Sequence, residues 1–442
     1  MIAWLFVAAA LAADPAVVSL SEALEMSEEG NSQNGIASWR LVGARASMNG
    51  VAANFLPKVT AQATVLRWDQ ELLLDLGAGA TLPPPFDTLL APTVIREQVT
   101  MTAGITAVQP LTGLYAISEG LAAKRHLARA AEADAEATTF DVYGQVVDAY
   151  FQTLETEQLA QVLGRARESL EGHVKRARAF HRTGLLLKSD LLQLEVALAN
   201  ARLSEQRVLD GIDLGRRRLA MVTGADTELA PAPIPPGEPP GIEVTADAAV
   251  QRAITHRPEA VAINESLLAA RAGQRASRAD LAPQVAAIAS WQLTEGQGSF
   301  AAPNAWYVGM SAQWQLFGGG QKHFAVREAT AGVHQAEEGK RALTDGIDLE
   351  IRAVLLAVAS ARRAYDASGT IVEQAEENLR LVSARFERQL VGSNELLDAE
   401  TLLAQARAGR VSSWYDLLIA VADAQRALHL PIDPLAGIQE TL

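Results

Sequence analysis

The sequence predicts a mainly α-helical chain built as a tandem duplication, with four β-strands set among long helices. Three observations carry this. Residues 180–202, FHRTGLLLKSDLLQLEVALANAR, recur in altered form as RFERQLVGSNELLDAETLLAQAR at 385–407. This shift of 205 residues places Asp190 on Glu395, Leu191 on Leu396, Glu195 on Glu400 and Arg202 on Arg407. Two long tracts, from Pro110 to Pro231 and from Pro303 to Pro431, contain no proline and carry helical periodicity. Four short stretches alternate with period two instead.

Composition narrows the function classes. The 442 residues are 49% hydrophobic, 20% charged and only 5% aromatic, a mix suited to closely packed long helices. The net charge of −14 argues against a nucleic-acid binder, because phosphate contact needs a basic face. Absence of cysteine excludes disulfides and thiolate metal sites. The six methionines and seven histidines do not cluster, so neither a metal site nor a cofactor is expected. His173 and His181 lie eight apart on one helix and read as solvated surface. No P-loop, H-E-x-x-H or nucleophile elbow is present, and the chain does not read as an enzyme.

Residues 1–12 form an apolar run ending in Ala10-Leu11-Ala12, the pattern of a cleaved export signal. A first structural repeat is expected over 13–225. It opens with a helix from Ser19 to about Phe55, capped by Ser21 and kinked near Gly30 and Asn31, and Pro57 ends it. A strand hairpin over 57–110 follows. Val59, Ala61, Ala63 and Val65 alternate with threonine and glutamine, as do Val99, Met101, Ala103, Ile105 and Ala107 with small or polar residues. A helical hairpin spans 115–223, turning at Thr183-Gly184-Leu185, with Ser189 as the expected cap of its second arm.

Residues 226–243 make a proline-rich linker. The second repeat, 244–430, has its strand hairpin at 283–316 and its helical hairpin at 322–428, and 431–442 form a tail. Val285, Ala287, Ala289 and Trp291 make one strand face, and Trp306, Val308, Met310, Ala312 and Trp314 the next. Gly318-Gly319-Gly320 reads as a strand-to-helix bend.

Two consequences follow from these lengths. At 1.5 Å per residue, each long helix extends roughly 100 Å. Four strands cannot close a barrel, and lipid tolerates no open sheet edge, so membrane strands would have to be shared among several chains.

The duplicated strand and helical hairpins, F-L-P-K-V at the first helix-to-strand junction, W-Q-L-F-G-G-G before a helix, and G-L-x-x-x-S-D-L-L at the turn resemble the TolC outer-membrane efflux family. The resemblance covers essentially the whole chain after the signal. It implies a homotrimer with a shared 12-stranded transmembrane barrel in outer-membrane lipid and a 12-helix periplasmic tunnel. It also implies a periplasmic adaptor and an inner-membrane pump as partners. Glu395 and Asp398 match the carboxylates ringing the periplasmic aperture, and Asp190 the first-copy position of that constriction.

Gly184 and Leu185 match the adaptor-contact turn of the first hairpin, with Val391 and Gly392 displaced by two in the second. Phe386 stands where the family often has an aromatic hydroxyl, and a basic residue usual near Val391 is missing. Gln389 stands where glycine is usual. Trp68, Trp291, Trp306 and Trp314 read as membrane-interface aromatics. The expected function is a passive export duct for small molecules. A type I protein-secretion outlet is the alternative within the class, and a coiled-coil scaffold the alternative outside it.

Overall fold

The structure, a computed structural model, describes residues 15–74, 83, 93–234, 237–241, 243–298 and 302–438. The expected signal at 1–12 and the end of the expected tail lie outside the described residues. The chain divides into two compact units that cut across the repeats. One comprises residues 1–41, 131–262 and 340–442, and the other 42–130 and 263–339.

The first unit is helical. It contains α1 (Leu20–Gly30), the start of α2 (Ser32–Ala52), most of α3 (Leu114–Arg182), α4 (Lys188–Thr223), α5 (Ala246–His256) and the start of α6 (Pro258–Ala279). Most of α7 (Gln321–Glu387) and all of α8 (Ser393–Ala427) complete it. Its core is set by helical spacing. Val147, Tyr150, Phe151 and Leu154 line one face of α3, and Trp414, Leu417, Leu418 and Val421 one face of α8, all buried together. Each such side chain contributes roughly 1.5–3 kcal/mol by leaving water.

Two short strands, β1 (Ala16–Val18) and β6 (Leu229–Pro231), pair in parallel against this core. The Tyr150 hydroxyl lies 3.3 Å from the Val18 carbonyl of β1 and 3.1 Å from that of Ala232, just after β6, with one proton to give to these two acceptors. The expected linker therefore begins with an ordered strand.

Local signals explain most helix ends. The cap of α1 is Ser19 rather than Ser21: its hydroxyl accepts from the Glu22 N–H while the Glu22 carboxylate accepts from the Ser19 N–H. Asn31 breaks α1 from α2, its side-chain amide donating to the Val222 carbonyl at 2.7 Å. Ser189 does not cap α4, which starts one residue earlier with Leu187 as an N-cap that makes no side-chain bond.

The hairpin turns are alike in both repeats. Leu185 N–H donates to Phe180 C=O, and Leu390 N–H to Arg385 C=O, each at 2.9 Å. Each turn needs a left-handed residue at the preceding position, Gly184 at φ 77° and Gln389 at φ 61°. A non-glycine residue costs roughly 1 kcal/mol there. Gln389→Gly is therefore expected to stabilise the second turn by about 0.5–1 kcal/mol. Hydrogen exchange of the turn amides checks this, and faster exchange in the variant would contradict it.

The second unit holds the main sheet. Strands β2 (Lys58–Arg67), β5 (Val99–Pro110), β7 (Gln284–Glu295) and β8 (Asn304–Gln313) are antiparallel in the order β2-β5-β7-β8. A small hairpin of β3 (Leu72–Leu74) and β4 (Thr93–Arg96), not expected from the sequence, extends the first strand loop. The sheet is open. Both β2 and β8 pair on one side only among the described residues, and the single chain closes no barrel.

Candidate functional site

The register of the sheet decides what its faces are. Ala61, Ile105, Trp291 and Trp306 stand in one cross-strand row, and Val59, Ala107, Ala289 and Val308 in the next. The opposite face carries the rows Thr60, Thr106, Ser290, Tyr307 and Gln62, Gly104, Gln292, Ala305. All four strands thus place their apolar positions on one side and mostly small or polar ones on the other.

The apolar side is left uncovered. Trp306 is 75% exposed, Val308 71% and Met310 73%. On the polar side the Thr106 and Ser290 hydroxyls share a hydrogen bond of 3.0 Å.

The four tryptophans separate along this sheet. Trp68 follows β2 at the loop end, donates to Thr100 Oγ1 at 3.1 Å and carries the Arg96 guanidinium 3.7 Å over its ring. Trp314 follows β8 at the other rim and donates to the Leu281 carbonyl at 3.3 Å. Trp291 and Trp306 are direct cross-strand partners within the sheet. No helix among the described residues is long and apolar enough to cross a membrane.

The aperture candidates lie at the tips of the hairpins, over a small core of their own. Leu170, Val174 and Ala177 of α3, Leu194 and Leu198 of α4, Phe386 of α7 and Leu396 of α8 are buried together. Phe386 is a packing residue, with Phe180 at 6.3 Å between ring centroids, and makes no polar link. One polar link between the hairpins comes from Ser393 instead, which sequence reasoning missed. Its buried hydroxyl is 2.9 Å from Gln193 Oε1 and 3.2 Å from Asp190 Oδ1. Asp190 is therefore a half-buried acceptor of a cross-repeat bond.

Glu395 and Asp398 share an exposed face of α8. Glu395 accepts from the Gly392 N–H at 3.1 Å, which caps α8 and holds a carboxylate at the positive end of the helix. Asp398 has no hydrogen-bond or ion-pair partner among the described residues. Among the turn residues, Gly184 and Leu185 are exposed, Val391 packs against the tip core, and Gly392 serves as the N-cap of α8. Leu390, the counterpart of Leu185, is the exposed residue of the second turn at 70%, against 56% for Leu185.

One buried polar cluster went unread in the sequence. His173 is not solvated surface: it is buried, with Nε2 2.7 Å from Glu400 Oε1 and Nδ1 2.8 Å from Arg176 Nη2. Arginine only donates, so Nδ1 accepts and Nε2 carries the proton given to Glu400. Ser169 donates to the same carboxylate oxygen. The repeat-related Glu195 behaves differently, pairing at 2.8 Å with Arg178 inside its own hairpin. The signal for a buried Glu400 was only its place on the leucine-rich face of α8, since a single helix does not reveal which neighbour covers it.

Glu400→Ala is expected to leave the buried His173 Nε2–H and the half-buried Ser169 hydroxyl without their acceptor and to destabilise the tip by about 2–3 kcal/mol, with Glu400→Gln costing less. Thermal unfolding and exchange of the α8 amides would read this. Equal effects of the two substitutions would rule out the hydrogen-bonding role. Among the described residues no group of three His, Asp or Glu side chains is placed to hold a metal ion.

No protein-family model matches the sequence, and no curated protein matches it. Solved structures do. The outer-membrane channel OprN is 21% identical with a TM-score of 0.76, over 92% of this chain and 89% of that one. The Campylobacter jejuni CmeC outer-membrane channel is 15% identical with a TM-score of 0.77, over 95% and 86%. The Vibrio cholerae outer-membrane protein VceC is 17% identical with a TM-score of 0.75, over 94% and 97%. The chain has the TolC-like fold of these outer-membrane channels.

Proposed function

We propose that the chain is the outer-membrane duct of an export system, acting as a homotrimer and not as an enzyme. In this reading three four-stranded sheets close one 12-stranded barrel in outer-membrane lipid, and the helical hairpins of both repeats build a 12-helix periplasmic tunnel. The observation that carries it is the sheet. Its two unpaired edges demand neighbours, and its apolar face, with Trp306, Val308 and Met310 open, suits hydrocarbon better than water. The polar opposite face suits an aqueous lumen. The same feature favours a duct over a coiled-coil scaffold, which has no use for such a sheet.

The duct conducts small molecules handed on by a periplasmic adaptor and an inner-membrane pump, and supplies a wall and a gate. The exposed turns at Gly184-Leu185 and Leu390, with Val391 and Gly392 beside them, are the adaptor contacts. Glu395, Asp398 and Asp190 constrict the periplasmic aperture; Trp291, Trp306 and Trp314 mark the barrel wall and its membrane interface, while Trp68, bonded to Thr100 of the polar face, marks the loop end of the barrel.

Assembly tests the reading. The protein is expected to sediment with outer membrane, to require detergent for extraction, and to give the native mass of three chains. A complex of two chains, or a soluble monomer, would overturn it.

A further inference from the structure

His173 sits where the two hairpins meet, and its ring nitrogens are committed to opposite charges. Nε2 gives its proton to Glu400 of α8 at 2.7 Å, and Nδ1 accepts from Arg176, one turn along α3, at 2.8 Å. The histidine is 4% exposed and Glu400 6%, so water competes little for the bond between them.

Three helices bring charged groups to this ring. Besides Arg176, α3 supplies Ser169, which shares the Glu400 oxygen. From α8 comes Glu400 itself. The last residue of α7, Glu387, places Oε1 3.9 Å from Arg176 Nε. Helix α4 meets the same core through Leu194 and Leu198, and no hydrogen bond or ion pair joins it to His173 among the described residues. The cluster is built once. At the repeat-related positions, 205 residues on, Asn378 stands for His173 and Leu381 for Arg176, so the second hairpin has no such histidine.

Histidine is the side chain whose charge ordinarily changes between pH 5 and 8. A second proton on this ring can go only to Nδ1, because Nε2 already carries one. Nδ1 would then be a donor facing a guanidinium, which also only donates, so Arg176 must leave. Its new acceptor already stands beside it in Glu387. The imidazolium keeps Glu400, now through a charge-assisted bond.

We propose that His173 is an acid-operated latch between the hairpins. While neutral it holds Arg176 back on α3; when protonated it keeps Glu400 of α8 and releases Arg176 to Glu387 of α7. Both repeats are then joined through two contacts of the first hairpin in place of one. That the tip of a duct closes more firmly in acid rests on the reading above, whereas the exchange of partners does not.

The test is hydrogen exchange of the purified full chain in detergent, expressed as protection factors, at pH 7.5 and at pH 5.5, above the ordinary carboxylate range. The reporters are the amides of Arg388, Gln389 and Leu390, which bond back to Arg385 and Phe386 beside Glu387. Their protection is expected to rise roughly threefold in acid, the worth of one half-exposed ion pair. Glu387→Gln, at an exposed position outside the core, should abolish the rise and leave protection at pH 7.5 unchanged. His173→Gln, which can still donate to Glu400 but cannot take a second proton, should abolish it too. No current is measured, so failure of the duct reading would leave these outcomes as they are. No rise in the unaltered chain, or a rise that survives either substitution, would overturn the latch.

Discussion

Replacing Glu395 by glutamine and Asp398 by asparagine together is expected to abolish the cation preference of the proposed duct and its block by multivalent cations. In the trimer, three chains would bring these carboxylates and Asp190 around one narrow axis. At a separation of ~6 Å and an effective dielectric near 20, each pair repels by roughly 3 kcal/mol before salt screening. Ions of high positive charge relieve that repulsion and should bind there.

The choice of substitution matters. Glu395 caps α8 through the Gly392 N–H, so alanine would remove about 1 kcal/mol of helix stability along with the charge. Glutamine keeps an acceptor. Planar-bilayer recordings decide the matter: unchanged selectivity and block in a fully assembled double variant would place the gate elsewhere.

Val308→Arg is expected to cost about 2–4 kcal/mol per chain if it faces hydrocarbon, and the cost would be incurred at three positions of one barrel. Ser311→Arg, three residues along on the opposite face, is expected to assemble normally because its side chain would enter the lumen. The yield of detergent-resistant trimer in the outer-membrane fraction reads both. The contrast is the test, since the two positions share a strand and lie on opposite faces. A harmless Val308→Arg, or equal damage from both, would show that the apolar rows do not meet lipid.

Legibility in the sequence followed the range of the interactions. The long helices were legible to within a residue or two, because proline gaps and glycine turns are local signals. The period-two strands were legible too, and pairing in register added only which residues share a row. Caps were less secure. Ser19 and Ser21 both qualify by residue type, but only Ser19 has a glutamate three residues on, and that S-x-x-E pattern was the available signal.

What escaped was non-local. Three-residue strands such as β1 and β6 carry no periodicity, and the burial of His173 depends on α8, far along the chain. The Ser393 link to α4 escaped for the same reason: the repeat singled out Asp190 as the counterpart of Glu395, not as the acceptor of a bond from Ser393.

The pairing of β1 with β6 bears on how the chain reaches this structure. Its partners, Ala16 and Leu229, are more than two hundred residues apart, and the Tyr150 hydroxyl stands between the carbonyls of Val18 and Ala232. Helical proteins usually fold quickly because their contacts are local. Here the ring of contacts that seals the helical core waits for a distant segment to arrive, and the entropy of closing that loop is lost before any packing is gained. Folding should therefore be slow for so helical a chain. Nascent protein halted before residue 229 should hold α1 loosely and leave the Tyr150 face of α3 open to holding chaperones.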